Sequence, residues 1–335
     1  SEIYKILTNS DLNFPTIQDE EGREVKLSPA RFIRFLESHD RRVRKDAFTG
    51  VYGAYRTVRN TLATALAANV REHVLEAKLR GYGSALEAAL TPNEIPSEVY
   101  HNLIATVNAN LDKVHRYYEL RKRIMKLDEQ HIYDLYVPLV KSAELTVRYP
   151  EARQIALNAL APLGDQYNAA LNRTFNSRWI DVYENVGKRS GAYSNGSYTT
   201  PPFILLNYQD RLDDVFTLVH ELGHSMHSYF TRSTQPFVYG DYTIFVAEVA
   251  STLNEALLVS HLLATRSDPA LRKHLIVQQI NDIRSTLIRQ TMFAEFELYM
   301  HRQAEAHPLL LLVGVAEQVQ RRAAVGRLEV PLEGR

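Results

Sequence analysis

Leu218-Val219-His220-Glu221-Leu222-Gly223-His224-Ser225-Met226-His227 decides how the rest of the chain is read. His220 and His224 stand at i and i+4, so on a helix both imidazoles project from one face a turn apart and reach one ion. Glu221 follows the first histidine and projects beside them, where a carboxylate takes a proton from a metal-activated water. The flanking sequence supports a helix. Asp210, Asp213 and Asp214 crowd its start, where the macrodipole favours negative charge, and Val215, Phe216, Leu218, Val219, Leu222 and Met226 supply an apolar face. Gly223 leaves room for a second backbone beside the histidines.

A third ligand is expected downstream. In Ile244-Phe245-Val246-Ala247-Glu248-Val249-Ala250-Ser251, Glu248 is the only charge in an apolar and small-residue run. A carboxylate buried there needs a partner, and a metal ion is one. Glu255, seven residues on and on the same helical face, is the rival ligand. Glu248 is preferred, which makes Glu255, Ser251 and Thr252 candidates to orient the imidazoles from behind. Positions 227 and 230 are His and Phe, not the Gly and His of a metzincin, so that class is excluded. Two histidines and a glutamate form a zinc set with a fourth position open. His227 shares the face of His220 and His224, placed behind the ligands, toward substrate, or as a satisfied structural histidine.

Composition narrows the classes further. There is no cysteine, so any metal is held by His, Asp or Glu. Lys+Arg and Asp+Glu are equal at 39 each, which gives no global field for nucleic acid or acidic membranes. The longest apolar run, Leu309 to Val315, is far short of a membrane span, and no signal peptide is evident. The chain reads as cytoplasmic, with no nucleic-acid or membrane partner; its oligomeric state is not encoded in any motif. It starts without Met and reads as a processed or partial product.

Outward from the motif, the pattern is mainly α. A Gly22-centred turn joins two short alternating runs into an N-terminal hairpin, and Ser28-Pro29 opens a helix. Helical periods continue over Ala30–His39, Arg41–Leu79, Pro96 to about Leu127, and from Pro150, with Pro162-Leu163-Gly164 interrupting the last. From Trp179 to Tyr208 three alternating runs form a small sheet directly ahead of the metal helix. The expected organisation is a helical region over 1–175, a catalytic region over 176–304 and an atypical tail over 305–335.

Together these stretches, with Gly187-Lys188-Arg189-Ser190-Gly191-Ala192-Tyr193-Ser194, Leu206-Asn207-Tyr208 and Tyr242-Thr243, resemble the thimet-oligopeptidase-like zinc peptidases of the oligoendopeptidase F type. The similarity runs from about Ser1 to about Ala304. It implies a multi-helix zincin-type fold with a deep channel and one zinc ion on His220, His224 and Glu248. It also implies Glu221 as general base and cleavage of short peptides. The strand through Gly191, Ala192 and Tyr193 would lie along the channel and pair with an extended substrate. Two departures bear on activity. The further N-terminal helical region of that family is not found, and neither is its C-terminal Tyr/His segment. The alternative is therefore a truncated zinc- and peptide-binding module with little catalysis.

Overall fold

A computed structural model describes residues 2–140 and 145–307; the atypical tail, apart from its first three residues, lies outside the described residues. The helices are α1 (Glu2–Ile6), α2 (Pro29–Leu36), α3 (Arg41–Thr57), α4 (Arg59–Leu79), α5 (Ala85–Leu90), α6 (Ser97–Ala109), α7 (Leu111–Ile124), α8 (Tyr149–Leu160), α9 (Asp165–Asn176), α10 (Leu212–Thr234), α11 (Ile244–Thr265), α12 (Pro269–Asp282) and α13 (Arg289–Ala306). The strands are β1 (Thr16–Gln18), β2 (Glu24–Lys26), β3 (Ile180–Asp181), β4 (Tyr193–Asn195) and β5 (Phe203–Leu205). The mainly α class with a small sheet next to α10 is the observed one.

The expected hairpin is β1 against β2, turning through Gly22 at φ 78°. Two long helical periods are broken where sequence gave no Gly or Pro. Val58 separates α3 from α4 and Asn110 separates α6 from α7, each with φ near −115° and ψ near 0. Their hydrophobic periods run on across the breaks, so the pattern alone does not show them.

The chain divides into two compact units. Among the described residues, one comprises those up to Leu139 together with those from Asp282 to His307; the other comprises those between Val140 and Asn281. The dividing points differ from the linear boundary at 175/176, and packing gives the reason. Ala152, Ala156 and Leu160 of α8 and Leu171 of α9 share one buried core with Leu218, Leu222 and Met226 of α10 and Leu258 of α11. An apolar face that finds its cover on α10 and α11 belongs with them.

In this second unit β5 is central, parallel to β3 and antiparallel to β4. The pairing outlasts the strands proper, with Leu206 N–H donating to Asp181 O and Tyr208 N–H to Val182 O. Strand β4 is therefore an edge, and it lies against α10. Among the described residues no helix is long and apolar enough to cross a membrane.

Candidate metal centre

Helix α10 carries the two imidazoles, and its start is built with care. Asp210 adopts φ 59°, turning the chain into the helix. The Asp214 carboxylate accepts from the N–H of Arg211 and of Gln209, both at 2.9 Å, which satisfies donors at a helix start. Leu212, Val215, Leu218, Val219, Leu222 and Met226 are buried, so the opposite side, with His220 and His224, is left for chemistry.

Helix α11 brings the carboxylate. Its approach depends on Gly223. A Cβ there would lie 2.6 Å from Ser251 Cα and 2.8 Å from Ala250 O, both backbone atoms that cannot yield. The close crossing puts Glu248 Oε2 at 3.5 Å from His220 Nε2 and at 3.5 Å from His224 Nε2. The two Nε2 atoms are 3.1 Å apart. Among the described residues this is the one group of three or more potential ligands whose donor atoms converge.

That geometry fits zinc. Tetrahedral bonds of about 2.0–2.2 Å to nitrogen and oxygen put neighbouring ligand atoms about 3.3 Å apart. His220 Nδ1 is 2.5 Å from Glu255 Oε1. The N–H of that bond sits on Nδ1, so the Nε2 lone pair turns toward the cluster. The Glu255 hydrogen bond raises the His220 pKa against the opposing effect of burial. Ser251 Oγ donates to Glu248 Oε2 at 2.7 Å and holds an otherwise exposed side chain in place.

Glu221 is buried at 7% exposure. Burial pushes its carboxyl above the ordinary range, opposed by the neighbouring His220 and His224. A carboxylate displaced toward neutral pH is a stronger base.

Of the remaining sequence-nominated residues, Ser251 and Glu255 join the cluster, whereas Thr252 turns its hydroxyl back to Glu248 O. Gly191 has φ 92°, a conformation that favours glycine, and its carbonyl accepts from Asn207 Nδ2 at 2.8 Å. Tyr193 lies on edge strand β4, half-exposed, and Ala192 packs against the core. His227 is not brought into the cluster; its ring stacks on Tyr242 with centroids 3.6 Å apart.

Two residues escaped the sequence reading. Asn254, 1% exposed, donates to Val219 O at 3.2 Å, one residue before His220, and pairs with the Tyr167 hydroxyl. Burial pushes the Tyr167 phenol up to about 12, so it stays a neutral partner. The signal for Asn254 was an amide in the apolar run after Glu248, which has to find a partner once buried. Ser225, fully buried, hydrogen-bonds Ser194 Oγ at 2.8 Å, and a serine next to His224 carries no signal of its own.

Comparison with known proteins gives a consistent picture. Residues 34–330 match the model for peptidase family M3. The chain is 51% identical over 310 residues to oligopeptidase PepF of Bacillus subtilis, covering 92% of this chain and 46% of that one. It is 46% identical to group B oligopeptidase PepB of Streptococcus agalactiae, covering 90% and 50% of the two chains. Among solved structures, oligoendopeptidase-F of Enterococcus faecium superposes with TM-score 0.72 at 37% identity, over 98% of this chain and 51% of that one. A peptidase from Chlamydophila abortus gives TM-score 0.89 at 38% identity, over 96% and 54%. The chain thus spans about half the length of the relatives it matches.

Proposed function

The chain belongs to peptidase family M3, and we propose from that membership and the geometry above that it hydrolyses peptide bonds in short peptides with one zinc ion. The observation that carries the proposal is the convergence of His220 Nε2, His224 Nε2 and Glu248 Oε2 within 3.5 Å of one another. His220, His224 and Glu248 would hold the ion. When bound, zinc supplies Lewis acidity, easing deprotonation of water and polarising a peptide carbonyl.

The protein's own residues do the rest. Glu221 takes the proton of the attacking water and returns it to the departing amine, two transfers that a single carboxylate performs in sequence. Glu255 fixes the tautomer and aim of His220. The outer edge of β4 takes the backbone of an extended peptide by strand addition. Such pairing requires an unfolded segment, which accords with short peptides as substrates.

The test uses a quenched fluorogenic peptide with and without a chelator, alongside elemental analysis. Chelator-sensitive cleavage with one zinc per chain is expected. The E221Q variant should keep its zinc and lose about 10²–10⁴ in turnover, the usual worth of general acid–base catalysis. Zinc occupancy without cleavage in the unmodified chain would instead establish a peptide-binding module. Undiminished cleavage by E221Q would remove Glu221 from its role.

A further inference from the structure

Along α11 the buried side chains of Ser251, Asn254, Leu258 and Leu262 form one stripe at helical spacing. Glu248 and Glu255 project from one edge of that stripe and Asn254 from the other. Asn254 is 1% exposed, and an amide at that depth is costly unless its polar atoms find partners. Two residues supply them. Asn254 Nδ2 donates to Val219 O at 3.2 Å and lies 3.0 Å from the Tyr167 hydroxyl, which itself lies 3.1 Å from Asn254 Oδ1. Val219 O is inside α10, where the helix already pairs it with the Gly223 N–H, so the amide takes its second lone pair. This is the turn at which Gly223 admits the backbone of Ala250 and Ser251. Asn254 therefore bonds α10 at the crossing itself, and through Tyr167 it ties α9 to the same point.

A slip of one residue along a helix is about 1.5 Å. Apolar contacts are non-directional and re-form after such a slip, whereas a hydrogen bond of 3.2 Å does not survive it. We propose that Asn254 is a positioning residue. It fixes the register of α11 on α10, and so sets Glu248 at 3.5 Å from both Nε2 atoms and Glu255 against His220 Nδ1. This inference rests on the function proposed above. It adds how two carboxylates on one helix are aimed at the imidazoles of another.

Replacing Asn254 alone would leave the Tyr167 hydroxyl buried without its partner and confound aim with stability. Y167F/N254L removes both members of that pair while keeping their volume, and apolar replacement of both partners is close to neutral for folding. The double variant should keep its denaturant midpoint close to that of the unmodified chain. In competition with a chromogenic chelator it should hold zinc at least about tenfold more weakly. Without metal, its His220 Nδ1–H, followed by NMR, should exchange with water at least about tenfold faster. Y167F alone, which retains the bond to Val219 O, should change neither reading. A double variant with the zinc affinity and the Nδ1–H exchange of the unmodified chain overturns the proposal, and so does one that loses stability alone. If the double variant does not fold, N254A, which adds no bulk, is judged by the same two readings. If the unmodified chain holds no zinc, the functional reading fails, while the Nδ1–H exchange still decides whether Asn254 aims Glu255.

Discussion

Two clusters of charged side chains, one in each compact unit, are built on opposite plans. Around Asp134, which is 0% exposed, charge closes on itself. Its carboxylate accepts from Arg44 Nη2 at 2.7 Å, Arg41 Nη2 at 3.1 Å and the His131 N–H at 2.9 Å. Arg44 also donates to Ser38 O and His39 O, and the buried Arg121 donates to Asp134 O and Val137 O. Around His220 the plan is reversed. Glu221, Glu248 and Glu255 gather with two imidazoles, and among the described residues no Lys or Arg ion-pairs with any of the three. The two Nε2 atoms lie 3.1 Å apart, each 3.5 Å from Glu248 Oε2. A buried cluster that satisfies itself holds a fold together, whereas three carboxylates gathered without a Lys or Arg keep negative charge that a cation would balance.

The largest effect that would break this contrast is removal of the Asp134 charge. D134N leaves Arg44 buried opposite a neutral amide, and should cost about 3–5 kcal/mol in denaturant unfolding. The pH dependence follows with a definite sign. Burial pushes the Asp134 carboxyl up, but Arg41, Arg44 and the His131 N–H outweigh it and hold it below the ordinary aspartate value. A depressed native pKa makes the stabilisation complete above about pH 4, the unfolded value, and lost as pH falls through the native one. The gap between the unmodified chain and D134N should be flat from pH 8 to 5 and close only in stronger acid. A gap that shrinks between pH 7 and 5 would contradict the closed cluster.

Next in size is the response to zinc. An ion that binds only the folded chain stabilises it by about 2.7 kcal/mol at a hundred times its dissociation constant. The same increment is expected in D134N, because the Asp134 cluster contributes nothing to the ion. Thermal scans with and without zinc and chelator measure it, and a D134N protein unresponsive to zinc would show that the two clusters are not separable. E255A comes below that. Loss of the carboxylate behind His220 should weaken zinc about 10–100-fold, the usual cost of removing such support. Competition with a chromogenic chelator reads the change directly.

The contrast also explains what is legible in the sequence. His220 and His224 can be placed on one face because the helical period is a local property, and Glu248 stands out as a lone carboxylate in an apolar run. Glu255 is nominated by the same period and lies 2.5 Å from His220 Nδ1. The Asp134 cluster is invisible. Arg44 and Asp134 are 90 positions apart, and nothing in either neighbourhood names the other. Nor do the helix breaks at Val58 and Asn110 carry a Gly or Pro signal. Local periodicity reveals elements and motifs; which distant charge meets which is decided only by packing.

The smallest effect sharpens the contrast within the Asp134 cluster itself. Arg41 and Arg44 both bond the same carboxylate, yet Arg41 is 41% exposed at its side chain and Arg44 is 2%. If burial sets the worth of a charge pair, the two must differ. R41M removes a guanidinium that is already partly hydrated, and Asp134 keeps Arg44 and the His131 N–H, so the cost should be about 1 kcal/mol or less. R44M takes away the buried partner and also strips Ser38 O and His39 O of their donor, so its cost should approach that of D134N. Denaturant midpoints for the two variants decide between these arguments. Equal losses would mean that distance to the carboxylate, not exclusion of water, governs the cluster, and the same reasoning would then no longer distinguish Asp134 from Glu248.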